Sequence, residues 1–385
     1  MEAYLDNSAT TRVFPEVVEL MVKTMSEDYG NPSSMHTKGV EAEQYIKEAT
    51  KTFAQILKVQ EKEIYYTSGG TESDNWALIG TALANRRTGN HIVVTAMEHP
   101  AVGAVADFLE KQGFAVTRLS VDEKGRIDPE KMKEAVREDT IVVSMMYVNN
   151  EIGAVQDIAA LSRIIKEKNP HTYVHVDAIQ AFGKYHIYPK RMGIDMLSVS
   201  SHKLHGPKGV GLLYIDEKVK IVPIIYGGGQ QKGMRSGTDN VPGIAGFALA
   251  ANLTYTDLDS KVERMYQLKQ KLVDGLLALG DVHIHGMAVR EGAPHIVSAA
   301  FVGVRSEVLL HTLEREGIYV STGSACSSNK KGQSHVLKAM GLKDREIEGT
   351  IRFSLGRFNT EDEADTVIEK VTAAVNRFRR LGSFR

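Results

Sequence analysis

The residues of this chain that can do chemistry stand directly after short apolar runs. Ser200-Ser-His-Lys-Leu-His-Gly-Pro-Lys-Gly209 sets Lys203 in a polar turn behind the run Asp195–Val199. A lysine amine, with a free pKa of about 10.4, becomes reactive by desolvation, by a neighbouring cation, or by covalent use as a Schiff base. Ser200 and His202 stand where they could hold an anion beside that amine, and Gly206 and Gly209 let the backbone turn. Upstream, Thr67-Ser-Gly-Gly-Thr-Glu-Ser73 runs straight into a helical pattern. Its glycines free backbone amides, its hydroxyls add donors, and a helix N-terminus favours negative charge, a combination suited to phosphate. Ser68 or Thr71 would equally serve as an ordinary helix cap. The stretch lacks the lysine of a nucleoside-triphosphate loop. His99 follows the run His91–Thr95, and Asp177 closes the run Tyr173–Asp177, three residues before Gln180. An aspartate at the end of a buried strand is costly unless paired, and a pyridinium N–H would be such a partner.

These residues need a scaffold that brings strand ends together. Strands are expected at Ile64–Thr67, His91–Thr95, Ala115–Ser120, Ile141–Met146, Tyr173–Asp177, Asp195–Val199 and Val210–Ile215. Helical patterns fall between them at Glu72–Asn85, Ala101–Lys111, Pro129–Val136 and Ala159–Glu167. Such alternation predicts a largely parallel sheet with helices on both faces, which binds ligands at the carboxyl ends of its strands. Before it, helices are expected around Val17–Met25 and from Gly39 to Leu57, separated by the polar loop Tyr29–His36. After it, a helical stretch from Val241 to Leu279, with a break near Thr256, leads into a smaller α+β region. That region carries strands near Ile296–Val302, Ile318–Ser321 and Ile351–Leu355 and helices at Glu307–Glu316 and Asp362–Phe378. The division expected is 15–255 as a large domain, with 1–14 and 256–385 as a small one.

Collected at one sheet edge, the set reads as hydroxyls and amides for a phosphate, a histidine beside a ring, an aspartate for a ring nitrogen and a lysine for an aldehyde. That set describes pyridoxal phosphate. Composition agrees with a small-molecule task. The 385 residues carry 47 Lys and Arg against 48 Asp and Glu, so no overall field recommends nucleic acid or an anionic membrane. No apolar run reaches membrane-span length, and Met1–Asp6 lacks the pattern of a signal peptide, so a cytoplasmic protein is expected. The pairs His202/His205 and His283/His285 lack the further ligands a metal site needs, so no metal is expected.

Nearly end to end, the chain resembles the cysteine desulfurases, pyridoxal-phosphate enzymes of the class V aminotransferase group with fold type I. The resemblance is carried by Leu5–Thr11, Gly30–Ser34, Thr67–Ser73, Glu98-His99-Pro100, Asn149–Gly153, Val176–Gln180, Ser200–Gly209, Arg235–Thr238, Ser321–Ser328 and Ile351–Arg357. It implies a mainly parallel seven-stranded sheet in the large domain and a homodimer with shared sites. It makes Lys203 the Schiff-base lysine, His99 the ring-stacking imidazole, Asp177 the partner of the pyridine nitrogen and Gln180 the contact to the phenolic oxygen. Gly70, Thr71, Ser200 and His202 would hold the phosphate, with Thr238 reaching the phosphate of the other subunit. Asn150, Arg352 and Asn31 would meet the substrate, Arg352 through bidentate contact with its carboxylate.

The single cysteine, Cys326, lies in the polar stretch Ser321–His335 and excludes an intrachain disulfide. Its hydroxyl-rich, glycine-containing setting argues against a buried structural thiol. By resemblance, a long loop carrying Gly-Ser-Ala-Cys marks the first of the family's two subgroups, in which Cys326 takes sulfur from L-cysteine as a persulfide and L-alanine is released. The sulfur would pass to acceptor proteins serving iron–sulfur cluster assembly or the thiolation of tRNA or cofactors. Lys330 and Lys331 stand where acidic or apolar residues are common in the family, which leaves the acceptor open. The alternative on the same scaffold is a selenocysteine lyase or cysteine sulfinate desulfinase, which would not need Cys326.

Overall fold

The computed structural model describes residues 2–322 and 333–382. Seven strands form the central sheet: β1 Ile64–Thr67, β2 His91–Thr95, β3 Ala115–Leu119, β4 Thr140–Met146, β5 Tyr173–Asp177, β6 Met196–Ser200 and β7 Gly211–Ile215. Their spatial order is β1-β7-β6-β5-β4-β2-β3. All adjacent pairs are parallel except those of β7, which runs antiparallel to both β1 and β6. β4 is buried at every position because helices cover both faces, and it therefore reads as a continuous apolar run rather than an alternating one.

The helices begin where the sequence places caps. Asp128 accepts from Glu130 N ahead of Pro129–Ala135, and Asp157 accepts from Ala160 N ahead of Ile158–Lys168. Thr360 and Glu363 form a capping box that opens Glu361–Leu381. The expected helix Glu72–Asn85 starts earlier, at Gly70, and is interrupted by a π-helical segment at Trp76–Gly80 before resuming at Thr81–Asn85. The π segment buries Trp76, whose Nε1 donates to Val222 O at 3.0 Å. The break near Thr256 is present between Val241–Tyr255 and Leu258–Leu277.

A second, four-stranded antiparallel sheet runs in the order Ser321–Thr322, Thr350–Ser354, Ile296–Phe301, Val282–Ile284. Its own apolar cluster contains Leu272, Phe301, Leu309, Phe353 and Val371, joined by Ala3 and Leu5 from the start of the chain. Ala3–Tyr4 pairs in parallel with Ile318–Tyr319. The larger cluster, with Phe53, Val143, Val176, Leu197 and Phe247, lies against the central sheet. Among the described residues, no helix is long and apolar enough to cross a membrane.

Candidate active site

The carboxyl ends of β2, β4, β5 and β6 converge, as a parallel arrangement requires. β6 ends at Ser200 and passes through a single 3-10 turn, Ser201–Lys203. Lys203 Nζ donates to Ser8 O at 2.5 Å and Ala9 O at 2.6 Å. The Asp6–Thr11 segment is itself pinned to this turn, since Thr11 N and Oγ1 both donate to His202 O. His202 Nδ1 lies 3.2 Å from Thr10 Oγ1. Burial and the adjacent Lys203 push the His202 ring down to about 4, so it is neutral at neutral pH.

Asp177 is 1% exposed at the end of β5. Its Oδ1 accepts from Ile179 N at 2.9 Å, while its Oδ2 has no hydrogen-bond partner among the described residues. Burial raises its carboxyl to about 6, opposed by the Ile179 amide and by Lys203. Beneath it lie two more buried acids. Burial lifts Glu98 to about 8, while Thr95 Oγ1 at 2.6 Å and Met146 N at 3.0 Å both donate to its Oε1. Asp74, on the helix after β1, is raised well above the usual carboxylate range by burial and by Asp177. His175, on the same face of β5 as Asp177, completes the layer. Its ring nitrogens lie 2.8 Å from Ser144 Oγ and 2.9 Å from Ser198 Oγ, and burial drives it down to about 3.

The glycine turn between β1 and its helix sits beside this layer. Gly69 adopts φ 152°, which demands glycine, and a Cβ on Gly70 would lie 2.1 Å from Ile179 Cδ1, so that methyl would have to move. Gly70 and the buried Ser200 are neighbours, and Thr71 is exposed in the first helical turn. His99 caps the helix Pro100–Lys111 through Nδ1, which accepts from Ala101 N at 3.1 Å. Burial, then Lys203 and His335, push its ring down to about 4.

Arg352, 2% exposed in the small sheet, completes the site. It donates to Asp6 Oδ1 at 2.8 Å and to Asn150 O at 3.0 Å, and its Nε has no partner among the described residues. Ser321 is directly opposite Arg352 in the strand pairing. On the far side of the segment 323–332, Ser334 Oγ donates to Glu151 Oε2 and His335 Nε2 lies 2.9 Å from Glu98 O. Both flanks of that segment are thereby fixed beside the site. Cys326, Lys330 and Lys331 lie outside the described residues.

Two expected residues stand apart. Asn31 is exposed in its loop, its Oδ1 accepting from Ser33 N at 3.0 Å. Thr238 is exposed after Gly237, on a segment anchored by a two-pronged contact of Arg235 with Glu72 at 2.9 and 3.1 Å. Asp6, Ser8, Asp74, Glu98 and His175 were not singled out in the sequence. Asp6 and Ser8 carried a signal as members of the Leu5–Thr11 motif, and Glu98 as a member of Glu98-His99-Pro100.

An unpartnered carboxylate oxygen, a lysine amine and a glycine-lined helix start at one sheet edge fit a pyridinium ring, an aldehyde and a phosphate. The model of the aminotransferase class-V family matches residues 3–367. The chain belongs to that pyridoxal-phosphate-dependent family. Within it, the chain is 44% identical over 378 residues to "Cysteine desulfurase IscS" of Methanosarcina thermophila, covering 98% of this chain and 93% of that protein. A solved structure described as "NIFS-LIKE PROTEIN" superposes with a TM-score of 0.93 at 41% identity, covering 98% of this chain and all of that one. Another, "SspA in complex with cysteine", reaches 0.80 at 31% identity over 93% of this chain and all of that one.

Proposed function

We propose that this chain is a cysteine desulfurase, converting L-cysteine to L-alanine and taking the sulfur onto Cys326. The observation that carries the reading is the pairing of Ser321 with Arg352. It sets the buried guanidinium at the root of the segment bearing Cys326, which follows Ser321 by five residues, a reach of at most about 18 Å.

Bound pyridoxal phosphate supplies an electrophilic carbon for amines and a sink for electrons. Lys203 holds the cofactor and moves the substrate Cα proton. Asp177, through its unpartnered Oδ2, would hold the ring nitrogen in its protonated form. Gln180 contacts the phenolic oxygen, while Gly70, Thr71, Ser200 and His202 hold the phosphate. Thr238, on the surface, serves the phosphate of a second subunit in a homodimer. His99 would stack on the ring, and as a neutral imidazole it can take or return a proton. Arg352, with Asn150 and Asn31, orients the substrate carboxylate. Cys326 thiolate attacks the substrate sulfur. The S–S bond forms as the Cβ–S bond breaks, and that electron pair stays with the carbon skeleton, which is protonated and leaves as L-alanine. The persulfide sulfur then passes to acceptor proteins for iron–sulfur assembly or tRNA or cofactor thiolation in the cytoplasm. The apolar cluster of the small sheet, drawn wholly from 1–14 and 256–385, supports a division into 15–255 and 1–14 with 256–385, although Phe14, Ala293 and Ile296 pack in the larger cluster.

Incubation of the cofactor-loaded protein with L-cysteine without reductant tests the reading. Mass spectrometry should find one added sulfur on the Cys326 peptide, and its absence would promote the selenocysteine or sulfinate lyase.

A further inference from the structure

Gln180 and His295 come from different sheets and meet at 3.1 Å, His295 Nε2 to Gln180 Oε1. Gln180 follows β5, whereas His295 immediately precedes the small-sheet strand Ile296–Phe301. They are 3% and 1% exposed, so neither can turn to water for a missing partner. The backbone on either side of His295 is fixed: Ala293 N donates to Gly153 O at 2.8 Å, and Leu355 N donates to His295 O at 2.8 Å.

The orientation of the Gln180 amide follows from its partners. Ser8 O, 3.0 Å from Gln180 Nε2, is a carbonyl and can only accept. The NH2 group must therefore face Ser8, which leaves Oε1 toward His295. An amide oxygen only accepts, so His295 must present an N–H at Nε2. Burial, and after it the charges of Lys184, Lys269, Arg352 and Lys203, hold the ring neutral. A neutral imidazole has a single N–H, and once that sits on Nε2, Nδ1 keeps a bare lone pair. Nδ1 indeed has no hydrogen-bond partner among the described residues. A flipped amide would turn its oxygen onto Ser8 O and point its NH2 group at the imidazole N–H.

From this geometry we infer that His295 is a positioning residue: its Nε2–H locks the Gln180 amide so that the NH2 group faces Ser8 and the cofactor. The inference rests on the role given to Gln180 above. One amide hydrogen is committed to Ser8 O, and the other remains for the phenolic oxygen. Ser8 O also accepts from Lys203 Nζ, so lysine and glutamine are aligned through one carbonyl.

The test uses cofactor-loaded protein with 15N-labelled histidine, the His295 signal being identified by its loss in His295→Gln. Long-range proton–nitrogen spectra near neutral pH should show protonation at Nε2 only. A ring protonated at Nδ1, or at both nitrogens, would overturn the lock. The bound cofactor's visible absorbance is then titrated with pH. His295→Leu, which cannot donate, should move the midpoint by about one pH unit, the scale of one hydrogen bond to a charged oxygen. His295→Gln, which offers an amide N–H, should restore most of that shift. An unmoved midpoint in folded His295→Leu would also overturn the inference. Failure of the chain to take up pyridoxal phosphate would instead sink the cofactor roles, while the tautomer would still decide the lock. It decides it equally if His295→Leu does not fold.

Discussion

Buried and half-buried carboxylates occupy both edges of the central sheet, and the two edges treat them differently. At the edge where β1 and β6 begin, Glu63 accepts from Lys190 Nζ at 2.7 Å and Gln60 N at 2.8 Å. Asp195 accepts from Lys166 Nζ and Val174 N, both at 2.7 Å. At the opposite edge, Asp177, Glu98 and Asp74 all have at least one oxygen without a hydrogen-bond partner among the described residues. Buried polar groups are ordinarily satisfied, so one edge builds the fold and the other holds interactions in reserve for something that arrives later.

Substitutions should separate the two edges. Lys203→Ala should lower L-alanine formation at least about a thousandfold with little change in the urea midpoint, measured by a steady-state assay and equilibrium unfolding. Asp177→Asn keeps the shape and removes the charge. Activity should fall about a hundredfold, while stability holds or rises slightly, because an under-partnered buried acid is removed. Asp195→Ala should do the reverse, costing about 2 kcal/mol in urea unfolding and leaving kcat within about twofold. Equal effects of the two aspartates on stability would erase the distinction.

A separate effect concerns pH. The Glu98 carboxyl is raised to about 8 in the folded chain, so the folded state binds more protons than the unfolded one between about pH 4.5 and 8. Its contribution to stability is therefore lost as pH rises through that window, with a slope of at most about 1.4 kcal/mol per pH unit. Glu98→Gln should flatten the dependence in denaturation curves of the cofactor-free protein. A slope unchanged by the substitution would assign it elsewhere.

Much of this was legible in the sequence because strand ends and turn residues coincide with chemistry. Six of the seven central strands run as strand–helix alternation predicts. The reversal of β7 was not visible, since hydropathy fixes which residues form a strand but not its direction. Lys203, Asp177 and the Gly69-Gly70 turn stood out because each breaks a local rule: a reactive amine in a tight turn, an acid closing an apolar run, and glycines at a helix start. Asp74 and His175 broke none. Asp74 reads as an ordinary polar helix position and His175 as one polar residue in a strand, and only packing shows that they share a buried layer. His295 was equally silent, because its partner lies 115 residues away.

The contact between Asp6 and Arg352 joins positions separated by 346 residues. Closing so long a loop carries a large entropic cost, and contacts of such separation form late in folding. The Lys203 turn and the acidic layer draw mostly on the central sheet, but the guanidinium waits for the chain to be gathered from both directions. Mild denaturant should therefore loosen the hold on the substrate carboxylate before it releases the cofactor, making affinity for L-cysteine a more sensitive gauge of folding quality than colour.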